Sequence, residues 1–302
     1  MSDPATRYVA DAVVACDDQG AVHQPGVVDV AGPSISWVGS ATAAPAHDGP
    51  VRRLDGLLLP GFVNAHAHAP MTVFRGAAEG VTLDAFLHDV LWPRERRLTA
   101  EDVYWGTTLA CAEMQRTGVT TSCEMYFHEE AMLAAFVDAG SRAVLTPGVF
   151  EVPGWDLFSS WEKRLSEVTA FMDAQAGAHP LVEVGIAGHS AYALTLEGLD
   201  AVAAAAQERN ALLHLHLAES QHETRELERA AGRTVTSLLA ERGFFDGRVV
   251  AAHGVWLSDE DLALLAAHDA AIAHCPQSNA KLAVGTARLD AMRRAGIRVG
   301  LG

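Results

Sequence analysis

Two histidines one residue apart, His66 and His68, close the apolar run Leu57-Leu58-Leu59-Pro60-Gly61-Phe62-Val63-Asn64-Ala65. Side chains two apart on a strand face the same side, so the pair can present two imidazole nitrogens to one ion without distorting the backbone. Neutral imidazole is a ligand for zinc and for iron, and the pair reads as half of a metal site. Two solvated histidines at a strand end would give the same local pattern. Repetition further along favours the metal: Val184-Gly185-Ile186-Ala187-Gly188-His189, Leu212-Leu213-His214-Leu215-His216, Val249-Val250-Ala251-Ala252-His253 and Ala271-Ile272-Ala273-His274 each end an apolar segment in histidine. In a barrel of parallel strands all those ends converge on one face.

On that reading His66 and His68 end the first strand, His216 the fifth and His253 the sixth, and the eighth is expected to supply a last ligand. Three histidines and one carboxylate would hold a divalent ion with one position left for water. Such an ion lowers the pKa of water it binds to roughly 7, which makes hydrolysis the natural chemistry. Glu219, three residues after His216, stands where a carboxylate could take a proton from that water and pass it to a leaving group. A carboxylate complementing a helix dipole would occupy the same place, and the neighbouring histidines favour catalysis. His214 alternates with His216, but only one of the two is expected to reach the metal. His128, His222 and His268 read as surface or capping residues.

These residues need a scaffold of strands and helices. The sequence predicts strands near 58–66, 119–127, 142–150, 181–189, 211–217, 248–255, 270–275 and 297–301. Between them lie helix candidates from Glu101 to Arg116, Glu129 to Ala139, Ser160 to Ala174, Leu196 to Glu208, Thr224 to Arg242, Ser258 to Ala267 and Thr286 to Arg294. Thr99-Ala-Glu-Asp and Ser258-Asp-Glu-Asp read as helix starts. This rhythm points to an α/β fold, a (β/α)8 TIM-type barrel, over residues 57–302. Residues 1–56 alternate short β runs with turns and form a small β module. An open doubly wound sheet would need a phosphate-binding glycine turn after the first strand, and none is present.

A chain of 302 residues, 49% hydrophobic, is long enough for one barrel and a small appendage. The formal charge of −16 would repel a nucleic-acid backbone or an anionic membrane. A small neutral or cationic substrate is the expected partner, and a homo-oligomer is left open. Cys16, Cys111, Cys123 and Cys275 lack disulfide or metal-type spacing, and no apolar stretch reaches the ~20 residues of a membrane helix, so a cytoplasmic location is expected.

The motifs Pro60-Gly61-Phe62-Val63-Asn64-Ala65-His66-Ala67-His68, Met125-Tyr126-Phe127-His128-Glu129-Glu130, Gly188-His189-Ser190, His214-Leu215-His216-Leu217-Ala218-Glu219, Ala252-His253-Gly254 and His274-Cys275-Pro276-Gln277-Ser278-Asn279 follow one another in this order. Together they resemble the amidohydrolase superfamily and, within it, the S-adenosylhomocysteine/methylthioadenosine deaminase branch. The resemblance implies one divalent ion, usually zinc with iron open, bound by His66, His68 and His216. It implies that His253 orients the attacking hydroxide and that Glu219 moves protons to the ring nitrogen and departing ammonia. It also implies substrate-binding residues: His189 for the purine, and Trp92 and Glu95, the latter for ribose hydroxyls. Ser278 and Asn279 are expected to shape the pocket wall.

Where members that accept S-adenosylhomocysteine carry an arginine for its carboxylate, this chain has Pro147. Arg164 could match a second family arginine or lie on a helix surface. A neutral adenosine-type nucleoside is therefore the expected substrate; guanine, pterin and triazine aminohydrolases, or an inactive purine-binding fragment, are the alternatives. The family's aspartate after the eighth strand would follow Val299-Gly300-Leu301-Gly302. On the resemblance, the chain is expected to be a C-terminally truncated piece of a longer enzyme, lacking that ligand and the strands that complete a small β-sandwich.

Overall fold

The computed structural model describes residues 5–77, 79–152, 159–221, 225 and 229–302. It divides into two compact units, Met1–Phe62 and Val63–Gly302. The first holds β1 (Thr6–Val14), β2 (Val22–His23), β3 (Gly26–Ala31), β4 (Ser34–Ser40) and β5 (Val51–Leu58). Their order is β2-β1-β3-β4, with β5 lying parallel to β1. Ala10, Val13 and Val28 form the core of this sheet, with Val30 and Leu58 packed against them. Opposite each other on β1 and β3, Arg7 and Asp29 make a bidentate pair at 2.7 and 2.7 Å. That guanidinium holds the Asp29 carboxyl below its ordinary value.

The sequence pattern runs one strand from 58 to 66, and the structure cuts it in two. Leu57 and Leu58 still pair with β1, and the barrel strand β6 covers Phe62–Ala67. Pro60 explains the break, since it has no N–H to give to a ladder.

The second unit continues with β7 (Val119–Glu124), β8 (Arg142–Leu145), β9 (Gly148–Val149), β10 (Val182–Val184), β11 (Ile186–Gly188), β12 (Leu212–Leu217), β13 (Arg248–His253), β14 (Ala271–His274) and β15 (Val299–Leu301). Their order is β10-β8-β7-β6-β15-β14-β13-β12-β11-β9. β8 and β9 are two pieces of one stave, as are β10 and β11, and each piece pairs with its opposite number. Eight staves therefore close into a parallel barrel, with Leu301 opposite Asn64 at the seam. The stave of β8 and β9 is interrupted at Thr146-Pro147, again where a proline removes a donor. The next stave is interrupted at Gly185, where a Cβ would run into the Leu212 carbonyl oxygen.

The barrel strands are flanked by helices at Ala100–Arg116, Glu129–Ala139, Trp161–Gln175, Leu196–Glu208, Val235–Glu241, Asp259–Ala267 and Leu289–Arg294. Thr99 with Asp102, and Ser258 with Asp261, close the capping boxes that their spacing predicts. The predicted helix from Thr224 to Arg242 falls partly outside the described residues, as does His222. Strand β12 shows how the barrel aims its chemistry. Leu213, Leu215 and Leu217 belong to the hydrophobic cluster that contains Leu199 and Val202 of the helix layer, while His214 and His216 alternate with them toward the interior. Fully burying each leucine contributes about 1.5–3 kcal/mol, which holds the two histidines in register.

Residues 69–95 carry no helical or strand period, yet they fold into a 3-10 turn at Ala69–Phe74, a short helical turn at Leu83–Ala85, a π-helical stretch at Phe86–Leu91 and a turn at Trp92–Glu95. Among the described residues, no helix is long and apolar enough to cross a membrane. All four cysteines are free thiols.

Candidate metal centre and active site

At the C-terminal ends of the strands the backbone is tied around the rim. Met125 N–H donates to Ala67 O, His216 N–H to His189 O, Gly254 N–H to Leu217 O and Gly302 N–H to His274 O, at 2.9 to 3.0 Å. Inside this ring the candidate ligand atoms of His66, His68 and His216 all lie within 4.8 Å of one another. His68 donates Nδ1–H to the Met125 carbonyl at 2.6 Å, and His216 donates Nδ1–H to the His189 carbonyl at 2.9 Å. A carbonyl can only accept, so both rings keep their proton on Nδ1. Their Nε2 lone pairs then face each other at 3.2 Å. Two lone pairs at that distance repel unless a cation lies between them, so the donor set fits a metal ion. Burial, reinforced by the neighbouring imidazoles, pushes His66 and His216 well below their ordinary values and His68 down to about 4, leaving all three neutral as ligands must be.

His253 ends β13 with a left-handed backbone, φ 76°. A residue with a Cβ is strained in that region, and such strain concentrates at functional positions. Its Nδ1–H donates to Asn279 Oδ1 at 2.8 Å, and its Nε2 faces Glu219 Oε1 at 3.5 Å. Burial pushes the His253 ring down to about 4. Glu219 follows Ala218, whose φ of 50° turns the chain at the end of β12. Burial raises the Glu219 carboxyl to about 7, with Tyr192 pulling the other way.

These groups line one cavity of about 490 Å³. The segment 69–95 supplies one side of it with Leu83, Phe86, Leu87, Leu91 and Trp92. Trp92 stands edge-on to His88, ring centres 4.4 Å apart. His189 also lines the cavity, its Nδ1 3.1 Å from Ser190 Oγ. Glu95 is buried in the same wall, where desolvation raises it to about 7 against a hydrogen bond from Tyr126.

Keeping Glu95 there has a cost that follows its titration. A carboxyl raised above its ordinary value near 4.5 contributes no penalty below that pH, and its stabilisation is lost as the pH rises through about 7. Glu95→Gln is therefore expected to match the parent near pH 4.5 and to exceed it at pH 8, by on the order of 2–3 kcal/mol. Urea unfolding at both values checks this; parallel stabilities across the range would contradict it.

The structure brings all eight predicted site residues, His66, His68, His216, Glu219, His253, His189, Glu95 and Trp92, to one cavity. Asn279 does not belong to the wall; it sits behind His253 and accepts from it, whereas Ser278 does face the cavity. Arg164 is no surface residue. It is 3% exposed, pairs bidentately with Glu129 at 2.8 and 2.9 Å and donates to the Gly148 carbonyl. His128 caps a helix without a side-chain cap bond, and His268 pairs with Asp246 at 3.0 Å. Sequence reasoning missed Tyr126, Tyr192 and Cys275; Cys275 forms a second potential ligand group with His66 and His253. The signals for Cys275 were its place just after an apolar strand and within the motif from His274 to Asn279.

Comparison with known proteins follows the same chain segments. Residues 57–302 match the Amidohydrolase family. Over 269 residues the chain is 38% identical to a 5-methylthioadenosine/S-adenosylhomocysteine deaminase of Pyrococcus furiosus, covering 89% of this chain and 63% of that protein. Over 294 residues it is 37% identical to the protein of the same name from Pelotomaculum thermopropionicum, covering 96% and 67%. The chain thus spans 63–67% of the length of these relatives. The crystal structure of an adenosine deaminase from Xanthomonas campestris with bound zinc has a TM-score of 0.92 at 29% identity, covering 100% of this chain and 69% of that one. Because the family match runs through every strand that carries a site histidine, the chain belongs to the amidohydrolase family.

Proposed function

We propose that this barrel carries the active site of a metal-dependent aminohydrolase that releases ammonia from an adenosine-type nucleoside. The observation that carries the reading is the approach of Glu219 Oε1 to His253 Nε2, 3.5 Å, on the wall of the cavity into which His66, His68 and His216 converge. His66, His68 and His216 would hold one divalent cation, with zinc first and iron second. When bound, that cation supplies a Lewis acid that lets water lose a proton near neutral pH.

The chain's own groups account for the remaining steps. With Nδ1–H given to Asn279, His253 offers its Nε2 lone pair to a hydrogen of the attacking water and orients it. Glu219 takes a proton from that water and delivers it to N1 of the purine as the C6–O bond forms. Glu219 then takes the remaining proton from the new C6 hydroxyl and gives it to the exocyclic nitrogen. C6=O forms as the C6–N bond breaks, and the products are ammonia and the 6-oxopurine nucleoside. A carboxyl raised to about 7 is matched to both taking and giving a proton. His189, Trp92 and Glu95 line the substrate's side of the cavity, Glu95 being suited to accept from ribose hydroxyls.

Substrate choice follows from what the cavity cannot offer. Arg164 is committed to Glu129 and Gly148, and the cations on the cavity lining, Arg75 and Lys281, pair with Glu113 and Glu79. A substrate carboxylate would have to share one of these cations with Glu113 or Glu79, whereas a neutral 5′ group needs no cation and can lie against the apolar side chains of 83–92. With zinc-loaded protein, ammonia is expected from adenosine and 5′-methylthioadenosine, with kcat/KM for the latter about tenfold or more above that for S-adenosylhomocysteine, the value of roughly 1.4 kcal/mol of lost pairing. Equal or better turnover of S-adenosylhomocysteine would overturn the preference. Ammonia from guanine or a triazine and from none of the nucleosides would overturn the nucleoside reading.

A further inference from the structure

His66, His68 and His216 have roles in this reading, and His214, the other histidine of β12, has none. Resting on that reading, we propose that His214, held by Thr146, is a positioning residue that fixes the proton of His66 on Nδ1 and so keeps the His66 Nε2 lone pair available to the cation. The argument follows the hydrogens from strand to strand. Thr146, at the break between β8 and β9, donates its hydroxyl proton to the Glu124 carbonyl at 2.9 Å. That hydroxyl has one proton, so toward His214 Nδ1, 3.0 Å away, its oxygen can only accept. His214 Nδ1 therefore carries the ring proton. Cys123 Sγ, 3.4 Å from the same nitrogen, is a second, weak acceptor.

An imidazole with its one proton on Nδ1, toward Thr146, has a lone pair on Nε2, so His214 Nε2 is an acceptor. It lies 3.0 Å from His66 Nδ1, which must donate to it. His66 Nε2 is then left with a lone pair, as the carbonyls of Met125 and His189 leave one on His68 and His216. Two ligands thus have their tautomer fixed by carbonyl oxygens, which cannot donate. His66 alone depends on a partner that could hold its proton on either nitrogen, and Thr146 decides which. His214 and Thr146 are both 0% exposed, so no water can replace either one. Reversing the relay as a whole would withdraw the Thr146 hydroxyl from the Glu124 carbonyl, which keeps its bond from Thr146 N–H, and would set the His66 proton on Nε2, facing the cation.

The test compares Thr146→Val with Thr146→Ser, and His214→Leu with His214→Gln, whose amide can accept from His66 and donate to Thr146. Zinc affinity is read by competition with a chromophoric chelator. The histidine tautomers of the metal-stripped protein are read from the 15N spectra of histidine-labelled samples. Thr146→Val and His214→Leu are expected to weaken zinc binding about 10–100-fold, as loss of an outer partner does, and Thr146→Ser and His214→Gln by about threefold or less. The parent is expected to show His66 protonated at Nδ1, and Thr146→Val to show protonation shifted toward Nε2. If Thr146→Val does not fold, the two His214 variants and the parent spectrum decide. Equal zinc binding by Leu and Gln at 214, or His66 protonated at Nε2 in the parent, would overturn the relay while leaving the metal reading intact. A parent that takes up no zinc would overturn the metal reading and the relay with it.

Discussion

Glu219→Gln is expected to reduce kcat by about 10²–10⁴-fold, the range that a positioned general acid/base contributes, while metal content stays at the parent's value. The amide keeps the shape of the carboxylate and can still approach His253 Nε2, 3.5 Å from the present oxygen. What it loses is the ability to take a proton, and among the described lining residues the other carboxylate is Glu95. His253 is pushed down to about 4, and the proposed reading gives Glu95 to the substrate. Stability should move in the variant's favour at neutral pH, since a buried carboxyl raised to about 7 is replaced by a neutral group. Steady-state ammonia release and metal analysis on the same sample check the two halves together. A rate within about tenfold of the parent would remove Glu219 from the proton path, because it falls below the smallest effect expected of such a group.

His216→Ala is expected to abolish metal retention and turnover together. His216 supplies one of three convergent Nε2 atoms and is fixed by its own Nδ1–H to the His189 carbonyl at 2.9 Å. Losing a direct ligand should weaken binding by more than the roughly 10–100-fold that follows loss of an outer partner. The chain should still fold, because the barrel core is carried by Leu213, Leu215 and Leu217 on the opposite face of β12. Dialysis against a chelator followed by metal analysis should find the variant stripped and the parent loaded. A variant retaining one ion per chain would move the metal elsewhere, with the group of His66, His253 and Cys275 the next candidate.

Most of the site was legible because its signal is local. Alternation on a strand shows that His66 and His68, or His214 and His216, share a face, and a parallel barrel brings strand ends together. The pattern could not say which ring nitrogen points where. That depends on the backbone carbonyls of Met125 and His189 and on the Thr146 hydroxyl, all of which are brought in from other parts of the barrel. Arg164 illustrates the same limit: the sequence leaves it either a match for a second family arginine or a helix-surface residue, and its partner Glu129 is 35 residues away.

The fold was legible to within a few residues at helix ends, where capping boxes mark the start, and less so in the strands. Continuous apolar runs concealed the breaks at Pro60, Pro147 and Gly185, and Gly185 is forced by a neighbouring carbonyl that only the assembled barrel supplies. Residues 69–95 offered no period at all, since short 3-10, α and π turns each follow a different repeat. Yet that segment builds one wall of the cavity.

Titrating the metal-stripped protein with zinc, while following ammonia release from 5′-methylthioadenosine, tests the central claim most directly. The account predicts activity that is absent without metal and rises in proportion to added zinc. It should level off at one ion per chain, with Glu219→Gln taking up the same single ion and staying silent. Full activity in the stripped protein, or one tightly held zinc with no ammonia released from any adenosine-type nucleoside, would contradict it.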